Sequence, residues 1–567
     1  MRSTLLVALF VITFCGSTRA ADAFLDQVNV DPLRLMSLQH NQTVKTFDTY
    51  ARDTLLQITG KTHLNGLPAA KAVLDIAMEP QKYADANLLY IRNKPFRQDF
   101  DQLSFIDAKE KQRILEEGTI SFKFWMQQQT QDAMNRIMAT ATVKAKAINE
   151  INGQASMLAQ IIDYPRFSRT LFSQAIVPAE GAKHPNERPW EPLPQVAQHL
   201  LQHSEGHAES YVTGVMGMVV GMESLSRGWV AKDPAIVNRA IADLAEKAAS
   251  INPEAYPSLT KRKFEVRYNS LARLTWPGAA VYFIAAVFFL VYFSTEVKWT
   301  YVAGWVFALA GLAVHTAAIA IRWWLVEKSV GNWFESIPIK NQFESVMFSA
   351  FFGTLVALVL ETGVINLVLK KVGGFEFRKL HGMGIFGTAG AAIGMLSLLA
   401  LFVTPYVTRS DIIGGGIKQN AGILMTYWLY IHVTLVTASY ALIGMTFVIG
   451  TWYCIQYFVN RDAGILQTLD AANLTMLQLA FWILGIGIIT GALWADVSWG
   501  RPWGWDPKET FALITWIVYL IVVHVRFITS GQKRALVTSV LSVVGFFVML
   551  FNWVGVNFFL VGLHSYA

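Results

Sequence analysis

Cysteine is nearly absent from this 567-residue chain. The two present, Cys15 and Cys454, both lie in apolar runs, so neither a disulfide framework nor a C-x-x-C pair can form. Charge is scarce as well. Asp, Glu, Lys and Arg make up 15% of the residues, against about 25% in ordinary soluble domains. The net charge of +7 is spread along the chain rather than gathered into blocks. That distribution excludes a basic nucleic-acid surface and fits loops that meet lipid headgroups. Apolar residues fill the gap: 53% are hydrophobic and 13% aromatic, which is the composition of a membrane protein.

Long apolar runs are missing from residues 22–272 and abundant afterwards. The first 21 residues read as a secretory signal: Arg2 gives the charged start, Leu5 to Phe14 the apolar stretch, and Ala20 and Ala21 the small residues for cleavage. Residues 22–272 show apolar positions at helical spacing, as in Phe122 to Lys146 and Val230 to Ala249, with Ile236, Ala240, Ile241 and Leu244 on one face. Pro185, Pro189, Pro192 and Pro194 mark an extended stretch within them. The expectation is a mostly helical, exported soluble domain.

Residues 273–567 then carry eight runs long enough for a hydrocarbon core of about 30 Å, at 276–294, 299–321, 343–368, 383–404, 427–458, 474–494, 509–527 and 536–560. Backbone groups in lipid must satisfy one another, so these are helices. The fold class is all-α: a polytopic bundle of eight spans behind a helical extracytoplasmic domain. Counting from an exported N-terminus, loops 322–342, 405–426 and 495–508 and the C-terminal tail face outward. Lys370, Lys371, Arg378, Lys379, Arg461, Arg526, Lys533 and Arg534 then lie inside, as positive charge tends to.

The most unusual segment is the loop over residues 494–509, between spans six and seven, with Trp494, Trp499, Trp503 and Trp505 among Gly500, Gly504 and Pro502. One or two tryptophans at a membrane edge are interfacial anchors. Four, separated by residues that let backbone approach a flat guest, read as a platform of indole faces for a planar macrocycle. Asp506 before Pro507, with Glu509 next, has the pattern of a helix cap.

The run WGRPWGWDPKETFALITW resembles the tryptophan-rich "WWD" signature of the haem-handling proteins of cytochrome c assembly. Its DPKET-ALITW continuation is similar to the CcsA (ResC) type of system II. The resemblance spans roughly residues 300–567. It extends through Tyr427 to Val433, Ser439-Tyr440-Ala441, His524-Val525-Arg526 and Gly555 to Tyr566, and Asn341-Gln342-Phe343-Glu344-Ser345 resembles the family's N-x-y-E-S segment. No C-x-x-C-H exists in the chain, so any haem is handled rather than kept by thioether bonds.

The resemblance implies roles for particular histidines. His432 opens span five and His564 follows span eight, so both share one face with the tryptophan loop whichever way the protein is inserted. Two imidazoles beside an aromatic shelf can take both axial positions of haem iron, and the resemblance assigns them that role. Trp494, Trp499, Trp503, Trp505 and Asp506 would line the cofactor. His524 lies deep in span seven, about 24 Å from its outer end at 1.5 Å per residue. The resemblance implies a second, internal haem site there, its partner ligand being His315, His381 or a residue of another chain. His199, His203 and His207 recur every four residues in the soluble domain; on a helix they form either a chelating stripe or a solvated face.

The function implied is export of haem b and its presentation on the outer face of a bacterial inner membrane. There it is attached to the C-x-x-C-H motifs of apocytochrome c, with a ResB/CcsB-like membrane protein and thiol-reducing proteins as partners and no nucleic acid. The alternatives are a haem exporter or chaperone without attachment activity and a bis-histidine electron-transfer protein.

Overall fold

The computed structural model describes residues 23–41, 43–139, 142–162, 174–203, 205–326, 337, 339, 341–364, 380–409, 415–417, 426–556 and 560. The segment expected to be a signal and His564 lie outside them. The chain divides into two compact units, one built from most of the residues up to Tyr256 and the other chiefly from Pro257–Ala567.

The first unit is mostly helical. Its longer helices are Phe47–Thr59, Ala69–Met78, Thr142–Ile162, Glu209–Val230 and Pro234–Ile251, and short antiparallel strand pairs such as Asn87–Tyr90 with Thr119–Ser121 join them. Two expected helices are divided. Phe122 to Lys146 becomes Phe122–Trp125, Gln128–Met138 and the start of Thr142–Ile162, because Gln127 adopts an extended backbone. Val230 ends one helix, and Asp233 caps the next by accepting from the Ala235 and Ile236 amides. That start buries Val237, Ala240, Ile241 and Leu244 and leaves Ile236 exposed, a shift of one position from the expected stripe.

Among its described residues the second unit contains eight helices long and apolar enough to cross a membrane. They are α1 (Thr275–Thr295), α2 (Lys298–Val326), α3 (Gln342–Thr362), α4 (Ile385–Thr408), α5 (Tyr427–Val459), α6 (Ala463–Trp499), α7 (Pro507–Ile528) and α8 (Gly531–Leu550), the last continued by a π-helical turn over Phe551–Gly555. Two cores hold them. Tyr282, Phe289, Phe343 and Leu398 belong to one, formed among α1 to α4. Tyr440, Met445, Leu469, Leu477 and Tyr519 belong to the other, formed chiefly among α4 to α8 with Ala357 of α3 joining it. α4 serves both, presenting Ala391 and Leu398 to the first and Ala389 and Ile393 to the second.

Buried polar groups pin the helix ends. Glu361, near the end of α3, accepts from the Gly384 and Gly387 amides at 2.6 and 3.1 Å, where the first turn of α4 has amides without helical partners. Asn341 caps α3 by accepting from Glu344 N–H. The Glu344 carboxylate pairs with Arg322 of α2 at 2.7 Å, and the same guanidinium donates to Gly415 O and Gly416 O. The N-x-y-E-S segment is thus a helix cap plus an ion-pair clip between α2, α3 and the segment after α4. α5, of 33 residues, and α6, of 37, are about 50 Å and about 55 Å long at 1.5 Å per residue. Both overrun a hydrocarbon core of about 30 Å.

Candidate functional site

α5 and α6 form an antiparallel hairpin whose far end joins the α6–α7 loop and the end of α8. His432 sits in the second turn of α5. Its ring lies against α6 where two glycines, Gly487 and Gly491, are spaced one helical turn apart. A Cβ at Gly491 would stand 2.6 Å from His432 Cε1 and 2.7 Å from Nδ1, so only glycine leaves room for the imidazole. His432 Nδ1–H donates to Gly487 O at 2.8 Å. That bond places the lone pair on Nε2, the arrangement expected of an imidazole set to bind a metal. Trp494 lies parallel to the ring, within 6°, at a centroid distance of 6.4 Å.

The four tryptophans are two edge-to-face pairs rather than one flat shelf. Trp494 and Trp499 meet at 4.9 Å and 68°, and Trp503 and Trp505 at 5.8 Å and 88°. Trp494 is buried behind His432 and so backs the imidazole, whereas Trp505 is 70% exposed. Trp505 also holds a left-handed backbone, φ +57°. Such a backbone costs a non-glycine residue of order 1–3 kcal/mol and persists only where the surrounding structure over-determines it.

Asp506 is buried in the cap of α7. Its carboxylate accepts from the Lys508 amide, while Glu509 Oε2 accepts from the Asp506 and Gly504 amides at 3.2 and 2.8 Å. The two acids therefore fix the fold of the tryptophan loop. Lys508 turns the other way: its ammonium donates to Asn552 O at 2.7 Å and Trp553 O at 3.2 Å. Those carbonyls belong to the π-helical turn, whose wider hydrogen-bond ring is closed by Val556 N–H on Phe551 O. Asn552 Nδ2 in turn donates to Tyr440 OH of α5 at 2.9 Å. Sequence reasoning missed this node of α5, α7 and α8; it sits at the base of the segment that leads to His564.

The remaining histidines are kept apart. His315 is buried in α2 against Phe351, its Nδ1 3.4 Å from Tyr282 OH. α2 packs on α1, α3 and α4, whereas α7, which carries His524, packs on α6 and α8. His524 is exposed on the outward side of α7 in line with Ile517 and Ile521, its Nδ1–H donating to Leu520 O at 2.7 Å. Two residues on, Arg526 clamps Asp470 of α6 through both carboxylate oxygens, at 2.6 and 2.8 Å. His381 precedes α4 and lies over Gly363.

The second unit is thus a bundle of membrane-spanning helices that sets a positioned imidazole and an indole cluster at one end of its second core. Residues 339–564 match the family described as cytochrome C assembly protein. The chain is 30% identical over 307 residues to cytochrome c biogenesis protein CcsA of Thermosynechococcus vestitus, covering 46% of this chain and 85% of that protein. It is 32% identical over 263 residues to the CcsA of Chlamydomonas reinhardtii, covering 44% of this chain and 64% of that one. Protein NrfI of Wolinella succinogenes is similar over 544 residues at 22% identity, which is 92% of this chain and 53% of NrfI. The chain belongs to the CcsA family of cytochrome c biogenesis proteins, and it spans little more than half the length of NrfI.

Proposed function

We propose that this protein exports haem b and presents it on the outer face of a bacterial cytoplasmic membrane for covalent attachment to apocytochrome c, as the catalytic subunit of a cytochrome c synthase. The supporting observation is His432, whose Nδ1–H is fixed by Gly487 O and whose ring is held between the Gly491 gap and Trp494. A histidine serving only as an interfacial residue needs none of this.

In this reading His432 and His564 hold the iron from its two sides, and Trp499, Trp503 and Trp505 cover the macrocycle. An apocytochrome presents its C-x-x-C-H segment, and the segment's histidine displaces one of the protein's imidazoles. Each thiol then adds across a haem vinyl group: sulfur bonds to one vinyl carbon and the thiol hydrogen goes to the other. The addition is redox-neutral and releases nothing, so the protein's contribution is positioning. Thiol-reducing proteins keep the acceptor cysteines available. Residues 22–272, exported by the signal at 1–21, guide the apocytochrome or brace a partner.

His524 marks an earlier stop on the route. An imidazole on the lipid-facing side of a span is costly, and α7 has only 17% of its apolar window buried, against 67% for α5. A ResB/CcsB-like membrane protein laid along α7 would cover that side and supply the second ligand. Expression in a host without its own assembly genes, with a C-x-x-C-H acceptor and with or without the ResB/CcsB-like protein, tests the proposal. Haem that stays on the denatured acceptor is the expected result, lost when His432 and His564 are both replaced by Ala. Haem transferred only without covalent attachment would leave an exporter, and haem that never leaves the protein an electron carrier.

A further inference from the structure

The histidine-rich stretch of the first unit has no part in the site above. The helix Leu193–Gln202 ends before the stripe is complete, with His203 as its C-cap and the His203 N–H bonded to His199 O at 2.9 Å. Gly206, at φ +97°, turns the chain, and Ala208 opens the helix Glu209–Val230. The turn lays His207 back on His199. Ring centroids are 5.4 Å apart for His199 and His203 and 5.6 Å for His199 and His207. Behind them stands Glu180. Its Oε2 accepts Nδ1–H of His207 at 2.5 Å, and its Oε1 accepts the Ala208 amide at 2.7 Å.

Two features separate this cluster from a solvated turn. The first is spacing. With metal–nitrogen bonds of about 2.0–2.1 Å and about 1.1 Å from ring nitrogen to ring centre, two imidazoles on one tetrahedral ion have centroids about 5.2 Å apart. The second is the carboxylate. A metal-binding histidine characteristically donates its other N–H to a carboxylate that fixes tautomer and orientation. Glu180 does this for His207, which directs Nε2 as the ligand atom. Among the described residues no three His, Cys, Asp or Glu side chains already converge on one point. Closure requires His199 and His203 to turn, and both are exposed, where rotamer changes are fast.

We propose that His199, His203 and His207 bind one divalent transition-metal ion of the zinc or copper type, with Glu180 orienting His207 and water completing the coordination. The ion ties the helix Leu193–Gln202 to the helix Glu209–Val230. The full-length protein in detergent, stripped with chelator, is titrated with Zn²⁺ against a chromophoric competitor. The H199A/H207A variant is expected to bind one equivalent fewer than wild type, and E180Q to keep that equivalent at about 10–100-fold lower affinity. Unchanged stoichiometry in H199A/H207A overturns the site, and unchanged affinity in E180Q overturns the orienting role. Should H199A/H207A fail to fold by circular dichroism, Cu²⁺ resonance spectra of wild type and H203A decide. One fewer coupled nitrogen in H203A supports the site, and identical spectra refute it. Haem content, measured alongside, is expected to stay at the wild-type level.

Discussion

Replacing Gly491 by Ala should abolish the iron ligation proposed for His432 while hardly touching the stability of the fold. The new Cβ would lie 2.6 Å from His432 Cε1, and a relaxed carbon–carbon contact is about 3.5–4.0 Å. The ring must therefore retreat by about 1 Å. α6 cannot give way easily, because Gly487 also approaches α5 closely, a Cβ there lying 2.9 Å from Val436 Cγ2. The imidazole moves instead and gives up its bond to Gly487 O, a loss of about 0.5–1.5 kcal/mol. The gain in helix propensity from Gly to Ala, about 1 kcal/mol, offsets most of that. Metal–ligand distances tolerate about 0.2 Å, five times less than the displacement. The assay is the absorption spectrum and haem content of the purified full-length protein beside its melting temperature. Expected is a G491A spectrum matching that of H432A, with a melting temperature within a few degrees of wild type. A G491A protein with wild-type haem spectrum and wild-type holocytochrome yield would refute the claim that the glycine gap seats the ligand.

Other consequences are as direct. Lys508→Met removes the ammonium from Asn552 O and Trp553 O, and a buried carbonyl left unpaired costs about 1–3 kcal/mol; a thermal melt should show the loss. Arg322→Lys keeps the charge but cannot reach Glu344, Gly415 and Gly416 together. Breaking such a buried pair costs about 3–5 kcal/mol, and a melting temperature equal to wild type would count against the clip. Acid should weaken the first unit through Glu180. Its folded pKa is depressed from 4.5, so its contribution is present above 4.5 and is lost as pH falls below that value. A pH series of melts should fall less steeply for E180Q over that window.

Eight spans are legible in the sequence because each is a long run of apolar residues, but their ends are not. α6 begins at Ala463 rather than near residue 474, since Asp462 caps it and its polar residues find partners inside the bundle: Asp470 with Arg526 and Asn473 with Ser542. Hydropathy counts such residues as loop; a helix with facing partners does not. α3 stops at Thr362, where Gly363 takes φ +71°, although the apolar run continues to residue 368. The tryptophan cluster and the cap at Asp506 are visible as patterns. Parity gives their side of the membrane but no contacts, so the pairing of Trp494 with His432 and the turning away of Lys508 stay hidden. Gly487-x-x-x-Gly491 is a sequence signal for close helix approach. That a histidine occupies the gap depends on the register of α5 against α6, which periodicity does not carry. The histidine stripe illustrates the reverse: strict four-residue spacing suggests one helix, but the return of His207 onto His199 comes with a turn at Gly206.

The contrast between the two ends of the second core bears on how labour is divided. At the tryptophan end, His432 is held by a backbone carbonyl, a glycine gap and a buried indole, all supplied by α5 and α6 of this chain. Toward the other end, His524 bonds to its own helix, its Nδ1–H donating to Leu520 O, and it projects beside Ile521 and Phe527 from a span of which little is buried. Its helix is not loose, because Arg526 clamps it to α6 and reaches Thr538 of α8. A rigid helix presenting an imidazole outward is suited to meet a ligand shared with a second protein. Crosslinking tests this: a photoreactive residue at Ile521, on the same side as His524, should capture the proposed ResB/CcsB-like partner, whereas one at Tyr519, fully buried in the second core, should not. Equal capture from both positions, or from neither, would mean that α7 is not the docking side and would refute the ligand-sharing proposed for His524.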